Sequence, residues 1–251
     1  MKTKYSVFLI ITVVVLLAIS VPVHASRIDD ERTELSARQS YVFKTYLQAD
    51  DIKVQSMDGV VTLTGTVSEE SHRSLAQETV ADLPGVKTVD NGLEIKGERP
   101  AENSDVWLTT KVKAILLFHR NVSAMTDVYT KDGIVTLRGE ATSQAQKDLT
   151  TEYAKDVEGV KNVINEMTVT KTSNKAQTVV EKIDDASITA QVKMTLLYHR
   201  STSALKTSVT TKNGVVTLSG KAKNAAEKDL AGKFANDVNG VIEVKNLMTI
   251  G

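Results

Sequence analysis

Gly59-Val60-Val61-Thr62-Leu63-Thr64-Gly65 is a β-branched run closed at both ends by glycine, and the chain writes it three times. It returns as Gly133-Ile134-Val135-Thr136-Leu137-Arg138-Gly139 and as Gly214-Val215-Val216-Thr217-Leu218-Ser219-Gly220. A further glycine follows 20 residues after the closing one, at Gly85, Gly159 and Gly240, and an asparagine 6 residues beyond that, at Asn91, Asn165 and Asn246. Three markers holding their spacing in three copies identify a tandem repeat. Each run opens on Asp58-Gly59, Asp132-Gly133 or Asn213-Gly214, dipeptides that suit a type I′ turn because both central residues take positive φ. The run is therefore the second strand of a hairpin. Its partners are Ile52-Lys53-Val54, Val128-Tyr129-Thr130 and Val209-Thr210-Thr211.

Helices flank the hairpin. Leu108, Val112, Ile115 and Leu116, and equally Ile188, Val192, Thr195 and Leu196, fall on one helical stripe ahead of it. Ser104-Asp105 and Asp184-Asp185 stand where N-caps belong. The glycine closing the run reads as a turn into a second helix, marked by Leu149, Tyr153 and Val157 or by Leu230, Phe234 and Val238. A β-branched segment ends each unit, Val160 to Val169 or Val241 to Ile250. The fold class that follows is α+β: three tandem copies of a small α-β-β-α-β domain, two helices on a three-stranded mixed sheet. The units are placed at 29–97, 104–171 and 184–251. Copy one departs from the others, with its first helix read around Ser36 to Leu47 and fewer residues before the hairpin.

The start of the chain reads as an export signal. Lys2 and Lys4 precede an apolar run from Val7 to Ile19, and Ser20-Val21-Pro22-Val23-His24-Ala25 ends with the small residues a signal peptidase reads. Residues 1–25 are expected to be removed after Ala25, giving a periplasmic protein. What remains holds 29 basic and 31 acidic side chains, a balance that argues against nucleic acid as a partner. With no cysteine in the sequence, disulfides, thiolate metal sites and thiol nucleophiles are excluded.

Taken together, Val-x-x-[DN]-Gly-[VI]-Val-Thr-Leu-x-Gly between two helices, then Gly-Val and Val-x-Asn, resembles the BON domain of bacterial envelope proteins. A signal peptide with tandem BON domains is similar to the osmotically induced periplasmic proteins, which typically carry two copies where this chain has three. The resemblance implies a link to osmotic and envelope stress, association with phospholipid surfaces or envelope proteins, or a chaperone-like or scaffold role. It implies no catalytic motif and no cofactor.

Five residues stand out as candidate surface contacts. His119-Arg120 and His199-Arg200 follow the first helix in copies two and three, and copy one lacks the pair. Eleven residues past Leu108 or Ile188, each imidazole returns to within about 20° of the apolar stripe. Two readings stay open: a histidine that closes the core at a helix end, or a His-Arg edge that meets lipid phosphate or a partner carboxylate. One histidine per copy is too few for a metal site. Trp107, the only tryptophan, either packs on a neighbouring domain or anchors at a bilayer boundary. His72 reads as solvated. Asp29-Asp30 and Asp184-Asp185 read as helix caps rather than acid–base pairs.

Overall fold

In the computed structural model, which describes residues 22–97, 100–122, 126–170, 182–202 and 207–251, the three hairpins form as their turn dipeptides dictate. Asp58 and Gly59 have φ of 55° and 83°, Asp132 and Gly133 53° and 79°, and Asn213 and Gly214 52° and 75°. Unit one runs α1 (Pro22–Gln39), α2 (Tyr41–Thr45), β1 (Asp51–Met57), β2 (Val60–Val67), α3 (Glu70–Ala81) and β3 (Thr88–Ile95). Unit two runs α4 (Asp105–Phe118), β4 (Asp127–Lys131), β5 (Ile134–Arg138), β6 (Glu140–Ala141), α5 (Gln144–Lys155), β7 (Asn162–Asn165) and β8 (Thr168–Val169). Unit three runs α6 (Asp185–Tyr198), β9 (Thr207–Lys212), β10 (Val215–Ala222), α7 (Ala225–Asn236), β11 (Glu243–Asn246) and β12 (Thr249–Ile250).

Each sheet is mixed: the hairpin pair is antiparallel, and the last strand returns parallel to the hairpin's second strand. One register line recurs. Val54, Leu63 and Asn91 lie side by side, as do Val128, Leu137 and Asn165, and Val209, Leu218 and Asn246. Along the strands buried and exposed residues alternate, so one face is covered by the helices and the other is open. The asparagine ties strand to helix. Asn165 Nδ2 donates to Lys147 O at 2.9 Å and its Oδ1 accepts from Met167 N at 2.9 Å, and Asn246 repeats this with Lys228 O and Met248 N.

Four expectations need correction. In two of the three copies the repeated run does not end at its closing glycine: β2 continues to Val67 and β10 to Ala222, with Gly65 and Gly220 inside them at φ of 115° and 120°, whereas β5 ends at Arg138, just before Gly139. A Cβ on Gly65 would stand 2.0 Å from Asp51 O, so the glycine bends a strand rather than stopping it. The helix read at Ser36 to Leu47 is two helices. Ser40 breaks it, with Ser40 Oγ donating to Ala37 O at 2.8 Å and accepting from Phe43 N at 3.4 Å. Asp29-Asp30 therefore lies within α1 and not ahead of a helix. The shortfall expected in copy one is not seen: Asp30, Asp105 and Asp185 each hold the turn glycine 28 or 29 residues on. Residues 1–21 of the expected leader lie outside the described residues, and the cut placed after Ala25 falls in the first turns of α1.

The units pack on one another around α6. From Ala186 to Val192, and again at Met194, Thr195, Leu196 and Tyr198, every side chain of that helix is buried. A helix buried all round needs neighbours on all sides. Unit one supplies α3, with Lys193 Nζ held 2.7 Å from Asp82 Oδ2 and 3.1 Å from Glu78 Oε2. It also lends α2, whose first N–H groups are capped from unit three by Asp184 Oδ2 (2.7 Å to Tyr41 N) and Ser187 Oγ (3.1 Å to Val42 N). Unit two supplies the ends of α4 and α5.

Candidate functional site

The two His-Arg pairs meet each other. His119 and His199 lie with their Nε2 atoms 3.3 Å apart, and neither imidazole reaches solvent. Each stacks on the second helix of its own unit: His119 on Tyr153 (centroids 4.0 Å, 24°) and His199 on Phe234 (3.9 Å, 14°). Each then turns its other nitrogen to the opposite unit. His199 Nδ1 hydrogen-bonds Asp156 Oδ2 at 3.0 Å, while His119 Nδ1 stands 3.2 Å from Asp237 Oδ2 without the alignment of a hydrogen bond. That oxygen accepts from Tyr153 Oη at 2.7 Å.

The backbone repeats the exchange. Arg120 N donates to Asp237 O at 2.9 Å and Arg200 N to Asp156 O at 2.6 Å, and single β-bridges join His119 to Val238 and Val157 to His199. The side chain of Arg120 caps the exit of α7 through Asn236 O, Val238 O and Val241 O, and Arg200 does so more sparsely at Lys155 O. Asn121 and Ser201 complete the set on Asp237 and Asp156. Units two and three are thus joined by a pseudo-symmetric seam. The candidate surface contacts His119 and His199 are its buried centre and cannot touch a membrane. Arg120 and Arg200 keep exposed side chains but spend their donors on helix-end carbonyls.

Burial sets the electrostatics of the seam. It pushes the His199 imidazole below its ordinary value, with the Asp156 hydrogen bond working against it and His119 adding to it. For Asp156, burial acts upward, but hydrogen bonds from His199 and Ser201 outweigh it and hold the carboxyl below its usual range. Burial raises the Tyr153 phenol, and its bond to Asp237 raises it further.

Trp107 packs partly buried on its own helix. Lys111 Nζ sits 3.5 Å over its ring and 5.0 Å from the ring of Tyr198 in unit three, so the indole faces a domain boundary through a lysine. His72 is partly exposed, and it is tied into a polar cluster rather than free in solvent. Its Nδ1 lies 2.5 Å from Asp50 Oδ2 and 3.0 Å from Ser68 Oγ, and its Nε2 3.3 Å from Glu69 Oε1. The residue types are those of a nucleophilic triad, but serine and aspartate share one nitrogen, whereas a relay needs them on opposite nitrogens. Among the described residues no group of three His, Cys, Asp or Glu side chains is placed to hold a metal, and no helix is long and apolar enough to cross a membrane.

The BON domain family matches this chain at residues 29–97, 104–171 and 184–251. The chain belongs to the BON domain family. Osmotically-inducible protein Y of Escherichia coli (strain K12) is 37% identical over 143 residues, covering 57% of this chain and 70% of that protein. Outer membrane lipoprotein DolP of Haemophilus influenzae is 31% identical over 144 residues, 55% of this chain and 74% of its own length. A 21 kDa hemolysin of Actinobacillus pleuropneumoniae is 32% identical over 146 residues, 55% and 73% respectively.

The three BON domains differ most on the open faces of their sheets. At one register line the first domain presents Gln55, Thr62 and Asp90, and the third presents Thr210, Thr217 and Lys245. The second presents Tyr129, Thr136 and Ile164, with Tyr129 62% and Ile164 46% exposed and Ile134 beside them. Lys131 shares this face toward the turn, and Arg138 is paired with Glu166 at 2.7 Å toward the other end. Sequence reading overlooked this row, although period-2 alternation along Asp127–Lys131 put Tyr129 on the face opposite Val128 and Thr130.

Proposed function

We propose that this protein is a non-catalytic component of the cell envelope, in the osmotic-stress class of its Escherichia coli relative, that associates with phospholipid surfaces through the open sheet face of its second BON domain. The observation that carries the reading is the row Tyr129-Thr136-Ile164, which is apolar at two positions where the first domain has Gln55 and Asp90 and the third has Thr210 and Lys245. A tyrosine beside isoleucines suits the boundary between headgroups and acyl chains, and Lys131 on the same face suits an anionic headgroup. An outer membrane lipoprotein among the relatives supports an envelope location. So does the apolar leader expected at residues 1–25. The His72 cluster, with both partners on one nitrogen, supports a non-catalytic role.

The test is co-sedimentation of residues 26–251 with phosphatidylglycerol-containing and purely zwitterionic vesicles across a salt series. The comparison variant is Tyr129→Thr with Ile164→Thr, which removes both apolar side chains from the face without adding charge. Wild type is expected to bind anionic vesicles at low salt, and the double variant to lose about thirtyfold in affinity, as two buried apolar anchors at ~1 kcal/mol each imply. Absence of wild-type binding to either vesicle at low salt would sink the reading. A second reading, a periplasmic chaperone or scaffold for envelope proteins, draws on the cleft of about 270 Å³ between the first two domains, where Tyr46, Leu75, Leu117 and Phe118 line an apolar wall. Binding of an unfolded client without vesicle binding would favour it.

A further inference from the structure

The seam between the second and third domains has a proton count of its own. Nδ1 of His199 donates to the Asp156 carboxylate, and Nδ1 of His119 faces that of Asp237. Each carboxylate favours a proton on the Nδ1 it faces, through a hydrogen bond at His199 and through charge alone at His119, and a ring so protonated with no second proton presents a lone pair at Nε2. With two such rings the lone pairs would face each other at 3.3 Å, with nothing between them. One proton between the Nε2 atoms turns that repulsion into a charge-assisted hydrogen bond, and its charge is balanced by the flanking aspartates. A second proton sets two N–H groups and two cations against each other in a site closed to water.

We propose that the His119–His199 pair is a proton-operated joint that docks the second and third BON domains when it holds one shared proton and releases them when it holds two or none. Which nitrogen carries the shared proton does not alter the count, because coupled sites titrate as a pair. The groups facing the pair are Tyr153 and Asp156 from α5 and its exit, Asp237 after α7, and Arg120 and Arg200 following the histidines themselves; Phe234 adds no charge. Neither arginine titrates near neutrality, and the Tyr153 phenol is pushed upward, so the histidines set the response.

The sign follows from what the separated domains bind. In water an imidazole gains its second proton near pH 6.5, to within about a unit. Below that the separated state holds two protons against one, so docking weakens as pH falls, by up to about tenfold per pH unit. Above it the separated state holds none against one, and docking weakens as pH rises. The downward push of burial on His199 acts in the first direction. The polar contacts between the first and third domains, Lys193 with Asp82 and Glu78 and the capping of α2 by Asp184 and Ser187, use no histidine, so the opening is confined to one seam.

The chain has no cysteine, which makes site-specific labelling direct. Ala145 and Ala226, exposed in the first turns of α5 and α7, take single cysteines for spin labels in the full-length mature chain. Wild type is expected to show its shortest and narrowest inter-label distance at about pH 6–7, with a longer, broader population growing on both sides. In His119→Asn with His199→Asn the distance is expected to stay constant across the range. Should that double variant lose its circular dichroism, His119→Gln serves instead: it leaves one imidazole and no shared proton, so the alkaline limb disappears and the acid limb remains. Four results would overturn the proposal. They are a wild-type distance unchanged from pH 4.5 to 9, an acid limb without an alkaline one, a profile abolished by His72→Gln, and a distance tightened by Zn²⁺.

Discussion

A carboxylate on each first helix, at its head in units two and three and within it in unit one, holds the turn that begins the repeated strand. Asp105 accepts from Asp132 N at 2.8 Å and Gly133 N at 2.9 Å, and Asp185 accepts from Asn213 N and Gly214 N at 2.7 and 2.8 Å. The two turn N–H groups hold the Asp105 carboxyl below its usual range, and Asp30 is lowered first by Asp58 N and then by Ser56. A lowered carboxyl adds stability that is present above its unfolded value near 3.9 and lost as pH falls below it. Asp105→Asn is expected to lower the thermal midpoint at pH 7, with the gap to wild type closing below about pH 3. Circular dichroism melts at the two pH values check it. Gly65→Ala is expected to cost about 2–4 kcal/mol in urea unfolding, since its Cβ would displace the backbone at Asp51. The turn dipeptides and the three glycines were legible because φ is a property of one residue. The carboxylate clamp was only half legible: Asp184 does cap α6 through Ser187 N, but the use of its neighbour Asp185 depends on a turn 28 residues away.

Among the elements α6 differs most from what its sequence announces. Ile188, Val192, Thr195 and Leu196 mark its face toward its own sheet, and all four are buried. Ala186, Ala190 and Met194, which lie off that stripe, are buried too. Small residues there permit close approach of another helix, and sequence alone does not say which. Lys193 is the one charged side chain on that approach. Burial acts to lower its pKa, and the two carboxylates of α3 more than restore it. Burial raises the Asp82 carboxyl even with Lys193 beside it, so the carboxylate depends on its partner. Lys193→Met is expected to destabilise the chain by about 1–3 kcal/mol at pH 7 by leaving Asp82 and Glu78 facing each other with no cation between them. Replacing Asp82 by Asn in the same chain should recover part of the loss. An unchanged urea midpoint in Lys193→Met would show that the ion pair is ornament on an apolar contact.

At the scale of the molecule, tandem units suggest modules that act one by one through linkers, and the packing argues otherwise. The helix phase of His119 and His199 pointed to burial correctly, yet the residue each is buried against is 80 positions away in another copy, and no periodicity reports that distance. Because α6 is enclosed by units one and two, a chain that lacks either unit presents a bare apolar helix face in place of a seam. While the seams hold, the units present their surfaces in one geometry, unlike modules on flexible tethers. The third unit alone, residues 182–251, is therefore expected to be the least self-sufficient piece. A domain of that size has a marginal core even when its helix faces are covered. It should bind an apolar dye in its native state, melt at a lower temperature than the full chain, and shift to larger species as concentration rises. Adding a separate chain of residues 22–170 should suppress the dye signal, because α3, α4 and the exit of α5 would again cover the helix. A third unit that stays monomeric, dye-silent and as heat-resistant as the parent would mean that α6 tolerates solvent. The domains would then be independent modules that happen to touch.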